Sequence, residues 1–282
     1  MKIIDCFPFF NETDTLELRL NYLNDEVDYF IISESNITFT GKPKTYNFEK
    51  HSGRFKKFFN KIIYIKHEPD TTGLDFSIKH DHYTEISPQR EVEKSQRNSI
   101  SKELYNFDKN DIFLLCDVDE IWNIDLANEF REYPNHDFLC RLEMKFHYFY
   151  FNCLGIGNKN SRWTKAFFGK ISRLEEFNDL HFIRNRLVLP IIKDAGWHFS
   201  YLSSPDSILK KIGSFAHTAF DIPQFKNLKN IENSMMDAKD PFNREGHDWS
   251  FVSLSNYPYK LRKHFSKYSK YIKKLESDSI NN

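Results

Sequence analysis

Three carboxylates, Asp117, Asp119 and Glu120, follow directly on the apolar run Ile112-Phe113-Leu114-Leu115-Cys116. A run of that kind reads as a strand buried on both faces. Acids at the end of such a strand are costly to desolvate unless something there uses them. Two aspartates one residue apart on a turning backbone can share a hard divalent cation and the phosphates bound to it. In open α/β sheets, ligands sit outside the carboxyl ends of the strands, which is where this triplet falls. Short acidic triplets are common in proteins, so the surrounding elements must carry the rest of the argument.

Those elements begin with residues 2–7, a first strand closed by Pro8. Residues 11–15 offer helix-capping side chains, and Leu16, Leu20, Leu23 and Val27 follow at helical spacing. A second strand, residues 27–32, ends at Ser33-Glu34 and completes a β-α-β unit with the usual right-handed crossover. Residues 62–65 give a third strand. Residues 68–88 read as a long polar loop holding His80-Asp81-His82, a metal pair with no further ligand nearby. Residues 89–106 form a helix whose apolar face, Val92, Ile100 and Leu104, is interrupted by Gln96. Glu34, Gln96 and Arg97 are therefore expected to face one cleft, with the Arg97 guanidinium toward phosphate oxygens.

After the carboxylates, residues 121–133 read as a short helix ended by Pro134. Residues 137–151 are dense in aromatics, suited to a core or to stacking on sugar rings. Strand-like pieces recur at residues 166–171 and 187–192. In Ala195-Gly196-Trp197-His198-Phe199-Ser200 the glycine permits close backbone approach, and His198 is either a core histidine or a ligand. Lys211, Ser214 and His217 follow on a helix. Residues 259–275 carry a stripe of Leu261, Phe265, Tyr268, Ile272 and Leu275 among seven Lys and Arg. Two readings fit it: a charged helix packed on the catalytic domain, or an interfacial helix near anionic lipid.

The 282 residues suffice for one large domain or two small ones. Forty basic residues balance forty acidic ones, so nothing draws the chain generally toward nucleic acid. Cys6, Cys116, Cys140 and Cys153 form no C-x-x-C pair, which suggests reduced thiols in a cytosolic protein. No apolar run reaches the roughly 18 residues of a membrane helix, and an acid interrupts the N-terminus at once. The expected location is cytoplasmic, peripheral to a membrane on the second reading of the tail. On that expectation the acceptor patterns Asn11-Glu12-Thr13 and Asn36-Ile37-Thr38 are coincidental.

Four ordered blocks resemble glycosyltransferase family 17. They are Asp5-Cys6-Phe7-Pro8-Phe9-Phe10-Asn11-Glu12 with Leu16-Glu17-Leu18-Arg19; Val27-Asp28-Tyr29-Phe30 through Glu34-Ser35-Asn36 to Gly41-Lys42-Pro43; Asp117-Val118-Asp119-Glu120-Ile121; and Ala195-Gly196-Trp197-His198-Phe199-Ser200 with Lys211 and Ser214. The resemblance implies an α/β, GT-A-like fold: a mostly parallel central sheet with helices on both faces and an acceptor-side α+β extension. Residues 1–255 would be the catalytic domain, about 1–135 binding the nucleotide sugar and 136–255 the acceptor, with a basic amphipathic helix and tail at 256–282. It implies a UDP-sugar donor, most simply UDP-N-acetylglucosamine, with Mn²⁺ or Mg²⁺, and a glycan or lipid-linked glycan acceptor. Asp117 and Asp119 would hold the metal and His198 could be its third ligand. Donor contacts would come from Phe7, Pro8, Glu34, Gln96, Arg97, Asp117, Trp197 and Lys211. An inverting transfer needs a general base, and Asp194, Glu120 and Glu143 are the candidates, Asp194 favoured because it abuts the Gly-Trp-His block. An Asp-x-Asp phosphatase of the haloacid-dehalogenase type and a non-catalytic carbohydrate-binding protein are the rival readings.

Overall fold

The computed structural model describes residues 1–77, 87–132, 137–214 and 220–275. The His80-Asp81-His82 motif, Pro134 and His217 lie outside the described residues. The first half of the chain runs β1 (Ile3–Phe9), α1 (Thr13–Leu23), β2 (Tyr29–Ser35), α2 (Asn47–Lys50), β3 (Ile62–His67), α3 (Pro88–Leu104) and β4 (Ile112–Leu115). The second half runs β5 (Glu120–Trp122), α4 (Leu126–Glu132), β6 (Leu139–Tyr148), β7 (Cys153–Gly155), β8 (Arg162–Trp163), β9 (Phe167–Lys170), α5 (Leu180–Asn185), β10 (Ile191–Ser200), α6 (Pro205–Ile212), α7 (Leu228–Asp237), β11 (Trp249–Phe251) and α8 (Tyr259–Arg262).

One eleven-stranded sheet joins the halves, with the path β11-β7-β6-β9-β4-β1-β2-β3. The pairings β3-β2, β2-β1 and β1-β4 are parallel. Beyond β4 antiparallel pairings take over, except that β10 lies parallel to β6. The fold is thus mixed α/β. The chain moves outward through β1, β2 and β3 and then returns to the other side of β1 as β4. That reversal is a topological switch point, where open α/β sheets form their ligand crevice.

Strand alternation sorts the core into two faces. Ile3, Phe7, Phe30, Ile32, Ile112 and Leu114 pack with α1 and the C-terminal segment. Ile4, Cys6, Ile31, Phe113 and Leu115 pack with α3 and α5 on the opposite face. Ser87 caps α3, accepting from the Arg90 amide, and Pro88 occupies its first turn, where a missing N–H costs nothing.

Several elements differ from the sequence expectation: of residues 187–192 only Ile191 and Ile192 are strand, and α6 ends before Ser214. Residues 120–122 are a strand, and the helix starts only at Leu126. Ile121 and Trp122 are fully buried and pair with β10, so tertiary contacts decide their state. The tail is not one continuous helix. α8 ends at Arg262, and a separate helical stretch, Phe265–Tyr271, kinks at Tyr268. Leu261, Phe265, Tyr268 and Tyr271 are buried in the main core. Glu17 accepts from Lys267 and Tyr268, and Asp14 from Tyr271. The apolar face that lipid docking would require is already covered by protein. No helix among the described residues is long and apolar enough to cross a membrane, and all four cysteines are free thiols.

Candidate active site

The turn from Asp117 to Glu120 is held from beneath. Arg19 of α1 is fully buried and bidentate to Asp5 of β1 at 2.6 Å. Its remaining nitrogen donates to the carbonyls of Asp117, Val118 and Glu120. Trp122 Nε1 also donates to Asp5, at 3.2 Å. The first and third sequence blocks are therefore parts of one buried brace. A neighbouring brace brings in His198. Gly196, at φ +156°, lies so close to β5 that an added Cβ would stand 2.4 Å from the Ile121 carbonyl. Only glycine permits that approach. β10 then pairs His198 with Glu120, and the Phe199 amide donates to the Asp119 carbonyl at 2.8 Å.

The three carboxylates face different partners. Asp117 accepts from Arg97 at 2.8 Å and from Arg184 at 2.6 Å. Glu120, wholly buried, accepts from Arg184 through both oxygens, from Trp163 Nε1 and from the Asp117 amide. Burial would raise the Asp117 carboxyl, but Arg184 and Arg97 overcome it and hold it well below the usual carboxylate range. Asp119 instead meets His198 Nε2 at 3.4 Å and Lys211 Nζ at 3.4 Å, and Lys211 reaches Glu12 at 3.0 Å. Burial opposes ionisation of Asp119 too, and Lys211 and His198 outweigh it. Burial likewise disfavours the Lys211 ammonium, yet Glu12 and Asp119 keep it firmly protonated.

Two cavities meet at this cluster. One, about 550 Å³, opens at the switch point between the ends of β1 and β4, past Pro8, Phe9 and Asp117. Its lining carries eight Lys and Arg against four carboxylates. Lys165 is notable there. It is half-buried with no ion pair to a described carboxylate, and burial, then Arg184, Arg141 and Arg90, depress its pKa. The other cavity, about 690 Å³, lies between α1, α6, α7 and the C-terminal segment. Its lining has four carboxylates against two lysines, and eight hydroxyl-bearing side chains. Glu12, Asp119, Tyr201 and Lys211 line both.

The expected residues divide accordingly. Pro8, Gln96, Arg97, Asp117, Asp119, His198 and Lys211 all line the basic cavity. Phe7 does not; it is a core ring under the Arg19 guanidinium, 4.6 Å away. Trp197 also lies in the core, edge-on to Tyr22. Neighbours on a strand face opposite ways, so Trp197 and His198, like Phe7 and Pro8, do not share an environment. Glu34 is buried outside the lining, its carboxylate accepting from Lys44, Tyr64 and the amides of Asn47 and Phe48. Asp194 and Glu143 stand apart from both cavities, each beside Arg162. Glu120 stands next to the site but is wholly buried and lines neither cavity, its oxygens held by Arg184, Trp163 and the Asp117 amide.

Among the described residues, no three His, Cys, Asp or Glu side chains converge as a metal-ligand set. Asp119 and His198 could supply two ligands to a cation completed by phosphate oxygens and water, an arrangement with one nitrogen that suits a transition metal better than Mg²⁺. His198 Nδ1 is buried without a partner, so no hydrogen bond there dictates which ring nitrogen keeps its lone pair. Asp117, held by two guanidiniums, is not presented to a cation.

Sequence reasoning gave no role to Glu12, Lys165 or Arg184. Glu12 stood inside a resembling block, and Lys165 follows the Arg162-Trp163 pair. Arg184 carried no local signal, since its partners Asp117 and Glu120 lie more than sixty positions away.

The architecture and this cluster are those of an α/β protein with a polar crevice at the switch point of its sheet. More particularly, the chain belongs to glycosyltransferase family 17, whose pattern it matches over residues 1–270. A stretch of 124 residues is 29% identical to beta-1,4-mannosyl-glycoprotein 4-beta-N-acetylglucosaminyltransferase of Rattus norvegicus and of Homo sapiens. That stretch is 43% of this chain and only about a fifth of those relatives' length (21% and 22%). Among solved structures, S. aureus TarS (1-349) superposes at a TM-score of 0.37 with 12% identity, covering 86% of this chain and 74% of that one. The galactosyltransferase LgtC, in complex with donor and acceptor sugar analogues, gives 0.26 with 15% identity, covering 50% and 46%.

Proposed function

We propose that the protein moves a sugar, most simply N-acetylglucosamine from UDP-N-acetylglucosamine, to a hydroxyl of a glycan, with inversion at the anomeric carbon. The observation that carries this reading is the position of Asp119, Lys211 and Glu12 in the wall shared by a basic and a hydroxyl-lined cavity. The nucleoside diphosphate belongs in the basic cavity, at the switch point. Lys165 supplies a cation with no ion pair to a described carboxylate, so an incoming diphosphate relieves a crowd of positive charge. Arg97 and Arg184 act indirectly, fixing Asp117 and Glu120 and hence the turn that presents Asp119. Lys211 places positive charge beside Asp119, where negative charge builds on the leaving phosphate.

A divalent cation, Mn²⁺ or Mg²⁺, would be held by Asp119 and His198 and would add further charge stabilisation to the leaving diphosphate. The phosphatase reading needs Asp117 as nucleophile, yet each of its oxygens accepts from a guanidinium. It also conflicts with family membership over residues 1–270. A purely binding role leaves the cluster of carboxylates and cations at the shared wall without a purpose.

Release of UDP from UDP-N-acetylglucosamine, followed with Mn²⁺ and with EDTA and with a glycan mixture added, tests the proposal. Metal-stimulated UDP release is expected. Turnover of phosphate esters without any turnover of UDP-sugars would contradict it.

A further inference from the structure

The occupant of the hydroxyl-lined cavity and the chemical role of the Glu12 carboxylate follow from the geometry of the wall they share. Glu12 sits just before α1, and only 14% of its side chain is exposed. Its Oε1 meets Lys211, and its Oε2 accepts from the Asn11 amide at 3.0 Å and the Phe10 amide at 3.3 Å. These contacts fix the carboxylate in the partition between the two cavities. Two carboxylates are common to both linings: Asp119, which faces His198 and Lys211, and Glu12, which shares Lys211 and accepts from two backbone amides. On the reading above Asp119 serves the cation, which leaves Glu12 for the acceptor proton.

The cavity's own chemistry limits what enters it. Its two lysines are paired within the wall, Lys211 with Glu12 and Asp119, and Lys270 with Asp14 at 2.8 Å. Its carboxylates outnumber them two to one. A phosphorylated or carboxylated ligand would meet excess negative charge there. Serine, threonine and tyrosine hydroxyls offer both donors and acceptors, and the Tyr150 and Tyr271 rings offer apolar faces. A volume of about 690 Å³ is in the range of small-molecule sites.

We infer that this cavity is the acceptor subsite for an uncharged glycan end, and that Glu12 is the general base. The inference rests on the transferase reading above. The acceptor hydroxyl oxygen bonds to the anomeric carbon, and its proton passes to a Glu12 oxygen. The bond between the anomeric carbon and the phosphate oxygen breaks, and its electron pair leaves with the diphosphate. The proton then returns to solvent. The C-terminal segment takes part as cavity wall, through Lys270 and Tyr271.

The test uses the full chain, with donor affinity measured separately from transfer. Glu12→Gln keeps shape and hydrogen-bonding capacity but cannot take the proton. It should retain donor Kd within about threefold and lose at least about 100-fold in transfer, the scale of general-base catalysis. The acid limb of the transfer pH profile should vanish with it, whereas Glu12→Asp should restore part of the rate and that limb. Met236→Trp, at the exposed rim of this cavity alone, should raise acceptor KM several-fold without changing donor Kd. A neutral oligosaccharide should be used and its terminally phosphorylated form refused. Glu12→Gln transferring within threefold of the parent, or Met236→Trp weakening the donor instead of the acceptor, overturns the inference. Absence of UDP-sugar binding in the parent protein overturns the transferase reading itself, and the inference falls with it.

Discussion

The two cavities share four residues and little else. On the sheet side the lining carries twice as many cations as carboxylates; on the helical side the ratio is reversed. Charges in a partly desolvated wall are poorly screened, so on the proposed function this asymmetry would decide which ligand each side admits. A diphosphate is favoured on one side and repelled on the other, while a neutral glycan is tolerated by both but finds hydroxyl partners mainly on one. On the proposed function, separation by charge would let two polar ligands meet at Glu12, Asp119 and Lys211 without either occupying the other's place.

The largest effect should come from the shared wall. Asp119→Ala is expected to lower transfer about 10²–10³-fold, as when one preorganised electrostatic contact is removed from developing charge. Folding should survive, which thermal melting checks, because Lys211 keeps Glu12. Near-normal transfer by this variant would remove the wall from the mechanism.

Arg184→Met strikes the frame of the basic cavity. Glu120 would stay buried with its main counter-ion gone, a loss of about 3–5 kcal/mol in denaturant unfolding. A drop below 1 kcal/mol would mean that Trp163 and the Asp117 amide suffice. Lys165→Ala should be milder and one-sided, weakening donor binding about tenfold, or about 1.4 kcal/mol. Acceptor KM should hold, and the donor effect should shrink at high salt. An equal effect on both ligands, measured by calorimetry and steady-state kinetics, would blur the division between the cavities.

The smallest effect is on stability against pH. Burial pushes His147 down to about 3 and His181 down to about 4, so both are neutral in the native state at neutral pH. The unfolded chain takes up these protons near pH 6.5, so their stabilisation is full above that value and declines below it. Each should remove about 1.4 kcal/mol per pH unit between about pH 6 and pH 4. The depressed carboxyls Asp117 and Asp119 contribute fully above the ordinary carboxylate range and lose that contribution only as pH falls below it. His147→Phe should flatten part of the slope from pH 6 to 4, read from urea midpoints. An unchanged slope would contradict the assignment.

Much of the parallel half was legible in the sequence. The strand Ile112–Leu115 announced itself by an unbroken apolar run, and the first β-α-β unit by a change of period. The carboxylate turn and His198 were found because their neighbours set them apart. Trp197 was misplaced because resemblance is read along a block, whereas a strand alternates its faces. Ile121 and Trp122 read as the start of a helix because a three-residue strand carries too little periodicity to show itself. The tail's stripe was visible, but a stripe does not state what covers it; Asp14 and Glu17, some 250 positions earlier, supply the answer. Arg19, Arg184 and Glu12 acquire their places only when distant segments close on the turn, and no local pattern encodes that.

The central claim is that the basic cavity receives the nucleotide and the hydroxyl-lined cavity does not. A crystal structure with UDP-N-acetylglucosamine and Mn²⁺ tests it most directly. The account predicts the uridine near Pro8, Phe9 and Phe10, the diphosphate between Lys165 and Asp119, and the sugar directed toward Glu12. A nucleotide lying between α6, α7 and Tyr271 would contradict it.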